Sequence, residues 1–188
     1  MRWQALFADL EGQLLAADAA ELAGEVADRT RREAGLIQLA DRLRTAIGAP
    51  LAVQVLGAGL LRGCLLDAGR DWVLLDDRGA EVLVALSAVS GVIGVGAATK
   101  VPDSEGLVGV RLDLRRVLRG LARSRTGVAL SLVDGAQVTG TLDRIGADHL
   151  DLAEHGRGEA RRGAAVRQVR LVPLSALAVV RADVGLAT

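Results

Sequence analysis

Apolar and polar positions alternate along two stretches of the chain, and the two stretches match each other. The first stretch begins at Leu51 and the second at Val128, and in each an apolar residue is followed by a small or polar one. A period of two is typical of a half-buried strand. When the stretches are superimposed, identical residues coincide at several positions: Gly63 with Gly140, Gly69 with Gly146, Asp71 with Asp148, and Leu75 with Leu152. The sequence therefore predicts a tandem duplication.

Turn signals divide each copy into five short antiparallel strands. In the second copy Asp134-Gly135 suits a tight hairpin, because both residues tolerate positive φ. Gly140, within a strand, predicts a bend or bulge. Five strongly bent strands close most economically into a small barrel, which leaves few exposed edges. In the first copy we predict strands near residues 51–56, 60–66, 71–76, 82–86 and 89–95.

The two copies differ in the length of one loop. The offset between matching residues is 77 at Gly63 and Gly140 and 88 at Leu86 and Leu174, so the second copy carries eleven additional residues. The added loop, within residues 154–163, is polar and basic. We interpret it as a solvated, mobile loop, and the alternative is an arm that binds nucleic acid. Its arginines are Arg157, Arg161 and Arg162.

Helical periodicity precedes each copy. Apolar residues at spacings of three to five predict a long helix over residues 3–33, whose apolar stripe meets another helix of the same chain or of a partner. After a break near Gly35, a second helix is predicted from Leu36 to Ile47, stopped by Gly48. A third helix is predicted over residues 108–122. Four of its apolar residues match the second helix in spacing: Leu114, Val117, Leu118 and Leu121 match Leu36, Leu39, Ala40 and Leu43.

The duplicated unit is therefore a helix followed by a five-stranded barrel. The fold class that we predict is mainly β with helices (α+β), with two such units in tandem behind an N-terminal helical extension. The corresponding ranges are 1–34 for the extension, 35–96 for the first unit, 97–106 for a linker and 107–188 for the second unit.

One run of the second copy carries a family resemblance. Alternating apolar residues are followed by Gly135-x-x-x-x-Gly140-x-Leu142, a turn and an apolar strand, which resembles the first motif of the Sm-like proteins (LSm and Hfq). The resemblance implies a bent five-stranded barrel preceded by a helix, whose subunits join edge to edge through their fourth and fifth strands. SH3-like barrels share much of the pattern, so both closures stay open.

The residues of the family's RNA pocket are not carried over. Gly69 and Gly146 stand where the Sm-like motif has aspartate, and Val73 and Leu150 stand where it has asparagine. The family's Arg-Gly pair after the fourth strand is also absent. The resemblance therefore implies the fold of the family without its RNA site.

Charge is distributed unevenly along a chain whose net charge is zero. Segment 106–127 holds six arginines against one aspartate, whereas residues 1–28 hold six acids against one arginine. Two helices of opposite sign can pair with each other, within a molecule or between molecules. The alternative is that the arginines meet phosphate. The predicted contact residues on the third helix are Arg111, Arg115, Arg116, Arg119 and Arg123, of which all but Arg116 recur every fourth residue.

Composition narrows the function classes. Half of the residues are apolar, which is enough for a packed core, but the aromatic residues are only Trp3, Phe7 and Trp72. Binders of single-stranded nucleic acid usually stack bases on aromatic side chains, so strong general RNA binding is not expected. Cys64 is the only cysteine, which excludes an intramolecular disulfide, and we predict a buried, inert thiol.

No pattern indicates catalysis. His149 and His155 have no cysteine or carboxylate cluster at metal-ligand spacing, and no glycine loop with a following helix and lysine suits phosphate. We expect no enzyme activity, no cofactor and no metal. No signal peptide or membrane span is predicted, so we expect a cytoplasmic protein. The favoured function is a binding or assembly module acting through self-association or a protein partner. The alternative is an RNA- or DNA-binding regulator that uses the arginine helix and the basic loop.

Overall fold

The computed structural model divides the chain into two compact units, Met1–Gln38 and Leu39–Thr188. In the first unit every described residue up to Leu36 is helical and exposed, including the apolar Phe7 and Leu22. The rest of the predicted helix over residues 3–33 lies outside the described residues. The structure describes residues 37–96, 112–156 and 166–182, and before them residues 7, 11–13, 21, 22, 24, 25, 29, 31, 32 and 34–36.

The second unit is built on one antiparallel sheet, which confirms the prediction of a mainly β chain with helices. Two helices, α1 (Leu39–Arg44) and α2 (Leu114–Ser124), accompany the sheet. The strand order is β5-β1-β2-β3-β4-β10-β6-β7-β8-β9. The strands are β1 Pro50–Val55, β2 Gly59–Ala68, β3 Trp72–Asp77, β4 Ala80–Ala85, β5 Val89–Ile93, β6 Gly127–Leu132, β7 Gln137–Ile145, β8 His149–Glu154, β9 Gln168–Pro173 and β10 Leu177–Ala182.

The two halves of the sheet repeat each other in order and register. Within β1–β5 the fifth strand pairs with the first and the others follow in sequence, and β6–β10 have the same order. Strand irregularities also coincide. One falls at Leu66 of β2 and at Asp143 of β7, and another at Ser90 of β5 and at Ala178 of β10. Strand order and register therefore follow the duplication that the sequence predicts.

Two hydrophobic cores lie on opposite faces of the central strands. Strand β4 gives Val82 and Val84 to the first core and Leu83 and Ala85 to the second. Strand β10 is shared in the same way. A strand that is buried on both faces needs a continuous apolar run rather than an alternation. This requirement accounts for the unbroken apolar run Val82–Ala85.

Three helix boundaries differ from the predictions. The first break falls at Ile37 and Gln38 rather than at Gly35, because Gly35 is itself accommodated in a helix. Helix α1 is shorter than predicted and ends at Arg44, before the turn in which Gly48 adopts a φ of 86°. Helix α2 begins at Leu114, where the Asp113 side chain accepts a hydrogen bond from the Arg116 amide and caps it, and residues 108–111 of the predicted helix lie outside the described residues.

A bend or a bulge was predicted at Gly140, and the bulge of this strand lies elsewhere. Gly140 is paired with Val128 and Glu154 within the sheet, and the irregularity of β7 falls at Asp143. Gly140 is needed for another reason, since a methyl group there would overlap the carbonyl oxygen of Ala153. Gly63, its counterpart in β2, would overlap the carbonyl oxygen of Asp76 in the same way.

The prediction of a buried Cys64 is wrong, because its side chain is partly exposed. Its counterpart Thr141 is buried, since the ring of His155 covers it and its Nε2 lies 2.8 Å from the threonine Oγ1. In the first half the residue that corresponds to His155 is Arg78, whose side chain extends into solvent. Cys64 therefore lacks the cover that the second half provides.

We expect Gly140→Ala to lower the free energy of unfolding by about 1–3 kcal/mol, because the new methyl group must push β7 away from β8. The measurement is urea unfolding followed by far-ultraviolet circular dichroism.

Gly120→Ala is the matched control for this substitution. Gly120 lies in α2 with open space where a Cβ would stand. Alanine is the better helix former there, so we expect a gain of about 0.5–1 kcal/mol. Equal effects of the two substitutions would contradict the close approach of β7 and β8.

Candidate functional site

The two halves of the sheet are joined by one strand pair. Strands β4 and β10 run antiparallel, with Val84 opposite Val179, Leu83 opposite Val180, and Val82 opposite Arg181. We call this pairing the internal junction. All of these side chains except that of Arg181 are buried. The junction thus unites an edge of the first half with an edge of the second half and removes both from solvent.

The start of β3 makes a second contact between the halves. The Trp72 indole Nε1 donates to the carbonyl oxygen of Leu112 at 2.9 Å, and the Asp71 carboxylate accepts from the Leu114 amide at 2.8 Å. Leu114 is the first residue of α2, so Asp71 satisfies an amide that the helix itself leaves without a partner. Trp72 packs in the second core and is only 4% exposed. The first half therefore fixes the N-terminus of the helix of the second half.

Some of the residues that correspond to this junction are exposed at the two ends of the sheet, namely Arg170, Leu171 and Ile93, whereas Val172 is buried. Strand β9 corresponds to β4, and strand β5 corresponds to β10. Leu83 is 5% exposed in the internal junction, whereas its counterpart Leu171 in β9 is 66% exposed. On β5, Ile93 is 67% exposed. Both ends therefore present apolar side chains beside strand edges that pair with no other strand of the described residues.

The counterparts of Trp72 and Asp71 are also accessible. These are His149 and Asp148, and the His149 Nδ1 lies 2.8 Å from an Asp148 carboxylate oxygen. This hydrogen bond, together with the charge of the imidazole, holds the pKa of Asp148 below its usual value, against a smaller opposing effect of desolvation. Gly146 has no Cβ because the His149 ring occupies that space, as the Trp72 ring does at Gly69. The local geometry is thus the same in both halves, but among the described residues it meets a partner from the other half only in the case of Asp71 and Trp72.

The one charged residue of β9, Arg170, pairs with Glu154 of the neighbouring strand β8. Glu154 accepts hydrogen bonds from Arg170 and, at 2.7 Å, from the Gln168 side chain. The hydrogen bond from Arg170 is the main reason that the pKa of Glu154 lies below its usual value. Arg170 and Gln168 are therefore both bonded to Glu154, whereas the apolar side chains of Val169 and Leu171 remain exposed.

The arginines of α2 divide into two groups. Arg115 is held by the protein, since its Nη2 lies 3.1 Å from an Asp113 oxygen and its Nη1 donates to the Ala147 carbonyl at 3.2 Å. Burial is the largest single influence on the pKa of Asp113 and acts to raise it. The hydrogen bonds from Arg116 and Arg115 and the charges of Arg115 and Arg119 together outweigh burial, so the pKa of Asp113 lies below its usual value.

The remaining arginines form an exposed face, which we call the arginine face. It consists of Arg116, Arg119 and Arg123, which are spaced three and four residues apart and so lie on one side of the helix. The predicted stripe contained Arg115 in place of Arg116, and Asp113 accounts for the difference. The other predicted contact residues, Arg111, Arg157, Arg161 and Arg162, lie outside the described residues.

Both histidines make polar contacts with neighbouring residues of the chain. His155 is buried, and its Nδ1 lies 3.0 Å from the Gly156 carbonyl oxygen while its Nε2 contacts Thr141. Within the described ranges no three His, Cys, Asp or Glu side chains are grouped closely enough to hold a metal ion. No helix in the described part of the chain has the length and apolar character needed to cross a membrane. Trp72, buried in the second core, offers no surface for base stacking.

The sequence did not predict that Asp71 and Trp72 join the two halves. Asp71 coincides with Asp148 in the repeat, but this match was used only to align the two copies. Their partners, Leu112 and Leu114, lie about 40 residues further along the chain.

Comparisons of the chain with models of known protein families, with curated proteins and with solved structures found no match.

We expect Asp71→Ala to lower the free energy of unfolding by about 1–2 kcal/mol, because the first amide of α2 loses a charged hydrogen-bond acceptor. The measurement is urea unfolding of dilute protein. Asp148→Ala is the matched control, since the exposed Asp148 carboxylate bonds only the neighbouring imidazole among the contacts described for it. Its unfolding midpoint should equal that of the unmodified chain, and an equal loss in both variants would disprove the special role of Asp71.

Proposed function

We propose that this protein is a non-enzymatic assembly module built from two small Sm-like barrels, whose copies associate through the two ends of the sheet. One observation carries the proposal. The chain joins its two five-stranded halves through β4 and β10, and β9 and β5 present the same two kinds of edge without a partner among the described strands.

Several features support a barrel in each half. Both halves have the strand order fifth, first, second, third, fourth, with an irregularity in the second strand and another in the fifth. Gly63 and Gly140 allow the second strand to approach the third closely, as a sharply curved sheet requires. A helix precedes each half, as the Sm-like resemblance implies. An SH3-like closure of the same strands is the competing description.

The exposed ends support self-association. An edge strand carries unpaired backbone groups, and monomeric proteins usually protect such edges with charges, prolines or a covering element. Strand β9 has Pro173 at its end and one arginine that is paired with Glu154, but Val169 and Leu171 remain exposed. On β5 no residue is charged. Association of copies would cover these apolar groups and satisfy the edges.

We expect the purified chain to sediment as a species heavier than its 19.5 kDa monomer, and Leu171→Asp to shift it toward the monomer. The reason is that a carboxylate on β9 would have to be desolvated beside an apolar edge. The measurement is sedimentation velocity over a range of protein concentrations.

Leu66→Asp is the matched control. Leu66 is also an exposed leucine, but it lies at the irregularity of β2, an interior strand, where the second half already has Asp143. Its sedimentation should match that of the unmodified chain. Monomeric behaviour of the unmodified chain at every concentration would overturn the proposal.

A second candidate function rests on the arginine face. Arg116, Arg119 and Arg123 are exposed, and none of them makes an ion pair with a described residue. Three adjacent guanidinium groups suit a polyanion such as a nucleic-acid backbone, which they would bind through phosphate and without base specificity.

For this candidate we expect weak binding to single-stranded RNA that falls steeply with salt. Changing all three arginines to glutamate should abolish the binding at low salt, and changing one of them to alanine should lower the salt slope by about 1. The measurement is fluorescence anisotropy of labelled RNA at several salt concentrations. Arg62, Arg70 and Arg78 are exposed in the first half, and their triple glutamate variant controls for net charge. Equal losses in the two triple variants would exclude a specific role for the arginine face.

A further inference from the structure

We propose that the first half of the sheet binds a small aromatic acid, a molecule with one flat ring and one carboxylate, in an open cavity beside β1, β2 and β3. The cavity has a volume of about 610 Å³, which lies within the usual range for small-molecule sites. The three strands give Ala52, Arg62 and Asp76 to its wall, and the end of β5 gives Ile93. The site is independent of the proposed function, because every wall of the cavity belongs to one chain.

The second half shows what can occupy the equivalent place. The residue that corresponds to Arg62 is Thr139, 77 residues further along the chain. There the chain itself supplies a ring, that of His155, which is only 5% exposed. The His155 carbonyl oxygen accepts a hydrogen bond from the Thr139 hydroxyl at 2.9 Å, and the ring Nε2 lies 2.8 Å from the Thr141 Oγ1. A flat imidazole ring thus packs over this part of β7.

A tight turn leaves the same place open in the first half. Strand β3 turns directly into β4 through Arg78 and Gly79, whose φ angles are 57° and 85°. In the second half the inserted residues replace this turn, so the chain continues along β7 and the His155 amide donates to the Thr139 carbonyl oxygen at 3.3 Å. The first half has no ring of its own here, because Arg78, the counterpart of His155, extends into solvent.

The charged side chains of the cavity favour an anion. Arg62 is exposed and forms no ion pair within the described part of the chain. The Arg78 Nε lies 3.9 Å from an Asp77 carboxylate oxygen, which is a long and exposed contact. Asp76, the one acid among the residues that line the cavity, accepts a hydrogen bond from the Gly79 amide at 2.6 Å. Two arginines against one aspartate leave an excess of positive charge, which suits a carboxylate.

The rest of the wall is apolar. It consists of Pro50, Leu51, Ala52 and Ile93 together with two glycines. Ile93 is 67% exposed, so an apolar body in the cavity would cover surface that now faces water. An apolar wall with a few polar groups is the usual composition of a small-molecule site. The ligand that matches the wall therefore has an apolar ring as well as an acidic group, which a simple inorganic anion lacks.

Binding of benzoate to the full chain tests the site. Acetate supplies the acid without the ring, and benzyl alcohol supplies the ring without the acid. The measurement is saturation-transfer difference NMR, which detects weak ligands of both small and large species and so does not depend on whether copies associate. We expect saturable binding of benzoate that is at least about fivefold tighter than binding of acetate or benzyl alcohol.

Two substitutions locate the binding. Ala52 is half-buried in the cavity wall, so Ala52→Phe fills the space with a ring of the chain itself and should abolish benzoate binding. Arg62→Gln removes one exposed positive charge and should weaken binding about two- to fivefold. Arg70→Gln is the matched control, because Arg70 is an exposed arginine between β2 and β3 that does not line the cavity, and the affinity should not change.

Four results would overturn the site. They are no saturable binding of benzoate, acetate binding as tight as that of benzoate, unchanged binding to Ala52→Phe, and equal losses in Arg62→Gln and Arg70→Gln. None of them bears on the association of copies, which sedimentation of the unmodified chain measures separately.

Discussion

The structure depends on the pairing of β4 with β10. Without it each half would expose an apolar edge strand, and the two cores would be open on the sides that now face each other. The pairing satisfies the backbone groups of both strands, and it buries alternate side chains of each strand in opposite cores. A second contact between the halves holds a helix terminus, because Asp71 accepts a hydrogen bond from the first amide of α2. The strand pairing thus couples the sheet and both cores, and the second contact fixes the start of that helix.

The divergence of the two copies follows from this junction. Trp72 of β3 and Val179 of the internal junction are buried, whereas their counterparts are His149 and Gly91. Other pairs are unchanged, and among them Leu83 and Leu171 are identical although one is buried and the other exposed. A leucine retained on an exposed edge is difficult to explain by the stability of the isolated chain. It is readily explained if that edge is covered by another copy.

The sequence predicted the strands well because half-buried strands impose a period of two, and the coincident glycines fixed how the copies align. It could not predict the contacts that Asp71 and Trp72 make with the second half, since nothing local to those residues points to α2. The partial exposure of Cys64 was missed for a similar reason, because it depends on which residue follows the next strand of the sheet. The basic helix was recognised, but its local spacing does not show that Asp113 withdraws Arg115 from the exposed face.

Assembly and polyanion binding are compatible uses of one design. Because Asp71 and Trp72 fix the start of α2, the arginine face of each chain has a constant position relative to its own junction. Three arginines on a single chain would bind phosphate weakly and with strong salt dependence. In an array, each added copy would present the same face at a regular interval. A second contact to one long polyanion would then be intramolecular, which raises the overall affinity without any new kind of contact. Self-association would thus raise the overall affinity of a weak polyanion-binding surface.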